Sequence, residues 1–157
     1  MKYVYLAGPD VFLENAKDVL QAKAEFLRQH GFNPLTPLDN ESSDPGEIYD
    51  ANISFIEKCD AVLANVCPLH GTEPDSGTIF EIGYAKHLNK VIITYSNPSI
   101  DSYKDRIEAY VNKYPNEGQH FLPEPFGLKQ NLMISKSADS EVATFVDAVE
   151  ELKILLK

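Results

Sequence analysis

The strongest constraint on this chain is an alternation of short apolar runs with amphipathic helical stretches, kept up from the N-terminus to residue 95. Lys2 to Ala7 carries Tyr-Val-Tyr-Leu-Ala, the pattern of a buried strand, and Gly8-Pro9 stops it. Glu14 to His30 places Val19, Leu20, Ala24, Phe26 and Leu27 on one helical face, with Gly31 as its C-terminal stop. Phe32 to Thr36 predicts a short strand, Pro37-Leu38-Asp39-Asn40 a turn, and Glu41 to Gly46 a polar loop. Ile48 to Lys58 is helical again, with Ile48, Ile53, Phe55 and Ile56 apolar. Asp60 to Val66 is the clearest central strand; Thr78 to Leu88 follows as a helix and Lys90 to Tyr95 as the next strand. Helices near Ser102 to Lys113 and over Ser140 to Leu156 complete the pattern.

Strands that alternate with helices from the start predict an α/β fold, a doubly wound parallel sheet with helices on both faces. A chain of 157 residues makes this a single domain over residues 1–157, long enough to bury a core. Ligands of such sheets sit beyond the carboxyl ends of the strands. Those ends are Ala7-Gly8-Pro9, Pro37 to Asn40 and the loop Cys67 to Ser76. Pro115, Pro123, Pro125 and Gly127 break the pattern between Tyr114 and Ser137, which predicts an irregular segment that covers the pocket or reaches a neighbouring subunit.

Composition narrows the partners. A formal net charge of -10 opposes general affinity for nucleic acid or an anionic membrane. No run is long enough to span a bilayer, and the first apolar stretch is too short for a signal peptide, so a cytoplasmic protein is expected. Cys59 and Cys67 lack CxxC or metal-type spacing and read as reduced thiols. His30, His70, His87 and His120 share no close spacing, so no histidine-built metal site is expected. Dinucleotide and P-loop fingerprints are absent from the sequence, and no cofactor is expected.

The stretch Gly71 to Ala85 holds the candidate chemistry, with Asp75 at the mouth of a helix and Glu81 inside an otherwise apolar run. A poorly solvated carboxylate beside a better solvated one separates a nucleophile from a proton donor, as cleavage at an anomeric carbon requires. Each residue also has a plainer reading. Asp75 fits a helix cap, and Thr78-x-x-Glu81 fits a capping box. Tyr5 ends the first strand where its hydroxyl could reach the same edge, yet core tyrosines are common. Gly8-Pro9 suits a turn that lets a ligand approach the backbone. Asn52, in the first turns of its helix, suits a cap or a solvated face, and Asn131 and Met133 suit packing.

Taken in order, several blocks resemble the nucleoside 2-deoxyribosyltransferase family. They are Tyr5-Leu6-Ala7-Gly8-Pro9-x-Val11-Phe12, Pro37-Leu38-Asp39-Asn40, Cys59-Asp60-Ala61-Val62, Glu73-Pro74-Asp75-x-Gly77-Thr78-x-x-Glu81-x-Gly83-x-Ala85 and Asn131-Leu132-Met133. The resemblance implies a flavodoxin-like domain and transfer of 2-deoxyribose between nucleobases, with a deoxynucleoside and a free base as partners. It implies Glu81 as the nucleophile, Tyr5 as the group that holds it, and Asp75 as the proton handler at the base. It also implies that Gly8, Pro9, Asp39, Asn40, Glu41 and Asn52 bind substrate, and that Asn131 and Met133 enter the pocket of an adjacent subunit in a homo-oligomer. Two positions depart from the pattern: Asn52 stands where some members have Asp, and Glu41 where they have Gln. Both bear on base preference.

Two other readings compete. A hydrolase of deoxynucleoside 5'-monophosphates needs a phosphate site, and Asp10 in the first loop would repel a phosphate if it pointed inward. A non-catalytic nucleoside-binding module would have no need of the nucleophile.

Overall fold

The computed structural model describes residues 1–96, 102–115 and 122–157. β1 (Tyr3–Ala7) is buried along nearly its whole length, as a strand covered on both faces must be. Gly8 takes a positive φ of 151°, and a Cβ there would stand 2.6 Å from that of Asn65. Only glycine lets the chain leave β1 this close to its neighbour, and Pro9–Phe12 then forms a short 3-10 helix. α1 (Ala16–Gln29) follows, then β2 (Asn33–Leu35), a 3-10 turn over Pro37–Asp39 and α2 (Pro45–Lys58). The chain continues through β3 (Ala61–Asn65), α3 (Ser76–His87), β4 (Val91–Tyr95), α4 (Tyr103–Lys113) and α5 (Leu132–Ser135). β5 (Ser140–Val142) and α6 (Phe145–Leu155) close it.

The strands form a parallel sheet in the order β2-β1-β3-β4-β5, the flavodoxin-like arrangement. Alternate residues face opposite layers. Val4, Leu6, Leu63 and Ile93 pack under α1 and α6 with Leu20, Leu27 and Leu152. Tyr5, Val62, Ala64 and Ile92 pack under α2, α3 and α5 with Ile56, Ile82 and Ile134. No helix among the described residues is long and apolar enough to cross a membrane.

Several boundaries differ from the sequence reading. Residues Ser140–Val142 form an edge strand against Ile93–Tyr95, so the last helix starts at Phe145 rather than Ser140. Three residues are too few to show a period, whereas Thr144 and Asp147 form the capping box that sets the helix start. The polar loop ends earlier than expected, because Asp44 accepts hydrogen bonds from Gly46 N and Glu47 N and starts α2 at Pro45. Asn52 therefore lies mid-helix rather than in the first turns. Tyr5 sits in the middle of β1 rather than at its end. The irregular region contains α5, capped by Asn131; its residues 116–121, with His120, lie outside those described.

Candidate active site

Three loops at the carboxyl ends of the strands enclose a cavity of about 360 Å³. Gly8, Val11 and Phe12 form one wall, and Pro37, Leu38, Asn40 and Ser42 a second. Ile48 and Asn52 of α2 and Asp75, Gly77, Thr78 and Glu81 at the start of α3 complete it. A wider hollow of about 750 Å³ between α4 and the Gly71–Thr72 turn is lined by no carboxylate among the described residues, and the paired acids line the smaller cavity.

Asp75 is the N-cap of α3. Its Oδ2 accepts from Thr78 N at 2.9 Å and from Thr78 Oγ1 at 3.1 Å. Both bonds fall on one oxygen, so the cap leaves the second unused. Thr78 sits at the third helical position and is not itself a cap. The Thr78–Glu81 capping box is therefore absent, and Glu81 bonds elsewhere: Tyr5 Oη donates to its Oε1 at 2.7 Å. Tyr5 is fully buried beneath the cavity floor, held by β1's ladders to β2 and β3.

Burial is what most perturbs this pair. Desolvation raises the Glu81 pKa to about 7; the Tyr5 hydrogen bond opposes that rise, and the Asp75 charge adds to it. Burial, and then the Glu81 charge, push the Tyr5 hydroxyl far above its ordinary value, so it remains a proton donor. A carboxylate held at this balance point, steered by a neutral donor and faced by a second acid, can act as nucleophile at an electrophilic carbon.

Other expected residues fall in different places. Asn40 lines the cavity and is fixed by Ser42 N and Glu47 O; Asn52 lines it with its Oδ1 buried and unpartnered. Pro9 and Glu41 are not part of the lining. Asp39 turns away: its carboxylate accepts from Thr36 N and Thr36 Oγ1, closing its own turn. Asn131 bonds Glu124 and caps α5, while Met133 is 71% exposed, both outside this chain's cavity. Asp10 is buried and points away from the cavity, onto Lys23 and Asn65. Ser42 and Ile48 also line the cavity and are unmarked in the sequence, since nothing in a polar loop or a helix face singles out such positions. Among the described residues no cluster of His, Cys, Asp and Glu is gathered to hold a metal.

Fold and cavity together define a class: a flavodoxin-like α/β protein with a half-buried carboxylate and a capping carboxylate at the carboxyl ends of its strands. Residues 4–133 match the model of the nucleoside 2-deoxyribosyltransferase family, and the chain belongs to that family. A 2-deoxyribosyltransferase from Leishmania mexicana is 34% identical, covers 97% of each chain and superposes with a TM-score of 0.78. A 2-deoxyribosyltransferase from Bacillus psychrosaccharolyticus shares the fold at 18% identity, with a TM-score of 0.60 over 94% of this chain and 90% of that one. A CMP N-glycosidase from Clostridium botulinum does so at 18% identity, with a TM-score of 0.54 over 98% and 99%. No curated protein gives a significant sequence match. Family membership makes this a glycosyl-transferring enzyme, in a family that acts on nucleosides and nucleobases.

Proposed function

We propose that the protein exchanges the base of 2-deoxynucleosides by double displacement at the anomeric carbon. The ionised Glu81 attacks C1', the C1'–N bond breaks, and Asp75 delivers a proton to the departing ring nitrogen. The result is a deoxyribosyl ester on Glu81 and a free neutral base. An incoming base then attacks C1' and gives its N–H proton to Asp75, and the ester bond breaks to restore Glu81. Two inversions give net retention. The observation that carries this reading is the 2.7 Å contact of buried Tyr5 with Glu81 at the base of a cavity also lined by Asp75.

Transfer from an unphosphorylated nucleoside is favoured over hydrolysis of a 5'-monophosphate by the lining itself. It includes no Lys or Arg among the described residues to hold a phosphate, and the hydroxyl of its Ser42 is already engaged with Glu47 and Asp44 N. Asp10 plays no part in that argument, since it faces away from the cavity. A simple binding module would gain nothing from desolvating Glu81. The same proposal includes a cytoplasmic homo-oligomer in which Asn131 and Met133 enter a neighbouring pocket, supported by the exposure of Met133 on α5.

Mixing the protein with deoxyinosine and adenine should yield deoxyadenosine without added phosphate. Free deoxyribose with no exchange product would sink the transferase reading. Glu81→Ala should abolish exchange and leave the circular dichroism spectrum unchanged; activity that survives it would remove Glu81 as the nucleophile.

A further inference from the structure

On the face of the sheet opposite Glu81, a polar cluster lies in the core where the central strands end. Lys23 of α1 donates from Nζ to Asp10 Oδ2 at 2.9 Å and to Tyr95 Oη at 3.0 Å. Its ammonium also stands 5.2 Å from the ring centre of Tyr95 and 5.4 Å from that of Phe145. Asn65, the last residue of β3, donates from Nδ2 to the same Asp10 oxygen at 3.2 Å, and its Oδ1 accepts from Cys67 N at 3.1 Å. The side chains of Lys23 and Asp10 are only 17% and 11% exposed. Charges this poorly solvated give up much of their hydration, a loss that only close pairing and further hydrogen bonds offset.

The cluster lies between two segments that shape the cavity. Asp10 sits in the 3-10 helix whose Val11 and Phe12 form one wall of the cavity, and Cys67 opens the loop that leads to Asp75. The close approach of Gly8 to Asn65 locks the same two segments together from the backbone side.

We propose that Lys23 and Asp10 are positioning residues, which hold the Gly8–Phe12 wall and the loop beginning at Cys67 in their binding arrangement before substrate arrives. The proposal rests on the base-exchange reading for its effect on substrate, but not for its effect on the wall. Lys23→Met leaves Asp10 buried without its cation and releases the wall. Hydrogen exchange at the Val11 and Leu13 amides should accelerate about tenfold or more. The KM for deoxyinosine should rise about tenfold, with kcat held within about twofold. Lys23→Arg, which keeps the charge, should recover most of both effects. Leu152→Ala, a core change in α6 two turns beyond Phe145, serves as a control that lowers Tm without either effect. If Lys23→Met does not fold, Asp10→Asn carries the same expectation at about threefold. Amide protection and KM unchanged in a folded Lys23→Met or Asp10→Asn would overturn the proposal. If deoxyinosine is no substrate at all, base exchange fails while hydrogen exchange still decides whether the cluster holds the wall.

Discussion

Glu81 is the residue on which burial and chemistry meet. With a pKa raised to about 7, it is protonated in acid and gains its nucleophilic charge as pH climbs through neutrality. The pH profile of kcat/KM should therefore show an acid limb near 7, well above the ordinary 4.5 of a glutamate. Tyr5→Phe removes the hydrogen bond that opposes this rise, so the limb should move to still higher pH and the maximum rate should fall; a limb that moves down would contradict the Tyr5 role. Asn52 offers a second residue-scale test. An amide presents one donor beside one acceptor, which matches adenine and, turned over, hypoxanthine. A carboxylate presents two acceptors, which match the adjacent donors of guanine. Asn52→Asp should then shift base preference toward guanine by about tenfold, the worth of one good hydrogen bond, in competition assays. Preference that does not change would take Asn52 off the base.

At the scale of the element, α3 joins two roles in one residue. Asp75 both caps the helix and stands in the cavity, so cap and chemistry can be separated by substitution. Asp75→Asn keeps an acceptor for Thr78 N and should hold Tm while exchange falls by orders of magnitude. Asp75→Ala should lose exchange and, in addition, about 1 kcal/mol of stability. Equal Tm losses in both variants would mean that the side-chain cap contributes little. The cap itself was legible in the sequence, as were the central strands and the convergence of Asp75, Glu81 and Tyr5. The capping box at Thr78 was not real, because two caps cannot start one helix a turn apart, and the earlier one prevails. The fifth strand escaped notice for a different reason. A three-residue parallel edge borrows its order from β4 and leaves no period of its own in the sequence. The family resemblance makes Asp39 a substrate contact, yet its carboxylate closes the turn in which it sits.

For the whole molecule, α5 is the element that turns outward, with Met133 exposed. Asn131 and Met133 contribute nothing to their own chain's cavity, and the proposal sends them to a neighbour's. Asn131→Ala and Glu81→Ala, each inactive alone, should recover a fraction of exchange when mixed and allowed to re-associate. No recovery, together with a monomer in sedimentation, would confine each site to one chain. The cluster on the far face of the sheet extends the same logic inside the subunit. Groups that never touch a substrate define the cavity because the loops start from strands they fasten.

The Tyr5–Glu81 contact links positions 76 residues apart. It forms only when β1 has found its register beside β3 and α3 has settled across them. No early local structure can assemble it, since the loop between its partners must close first. Turnover is therefore a clock for folding. In a refolding experiment the return of base exchange should lag the return of helical signal, and the interval between them times the docking of α3 on the central sheet.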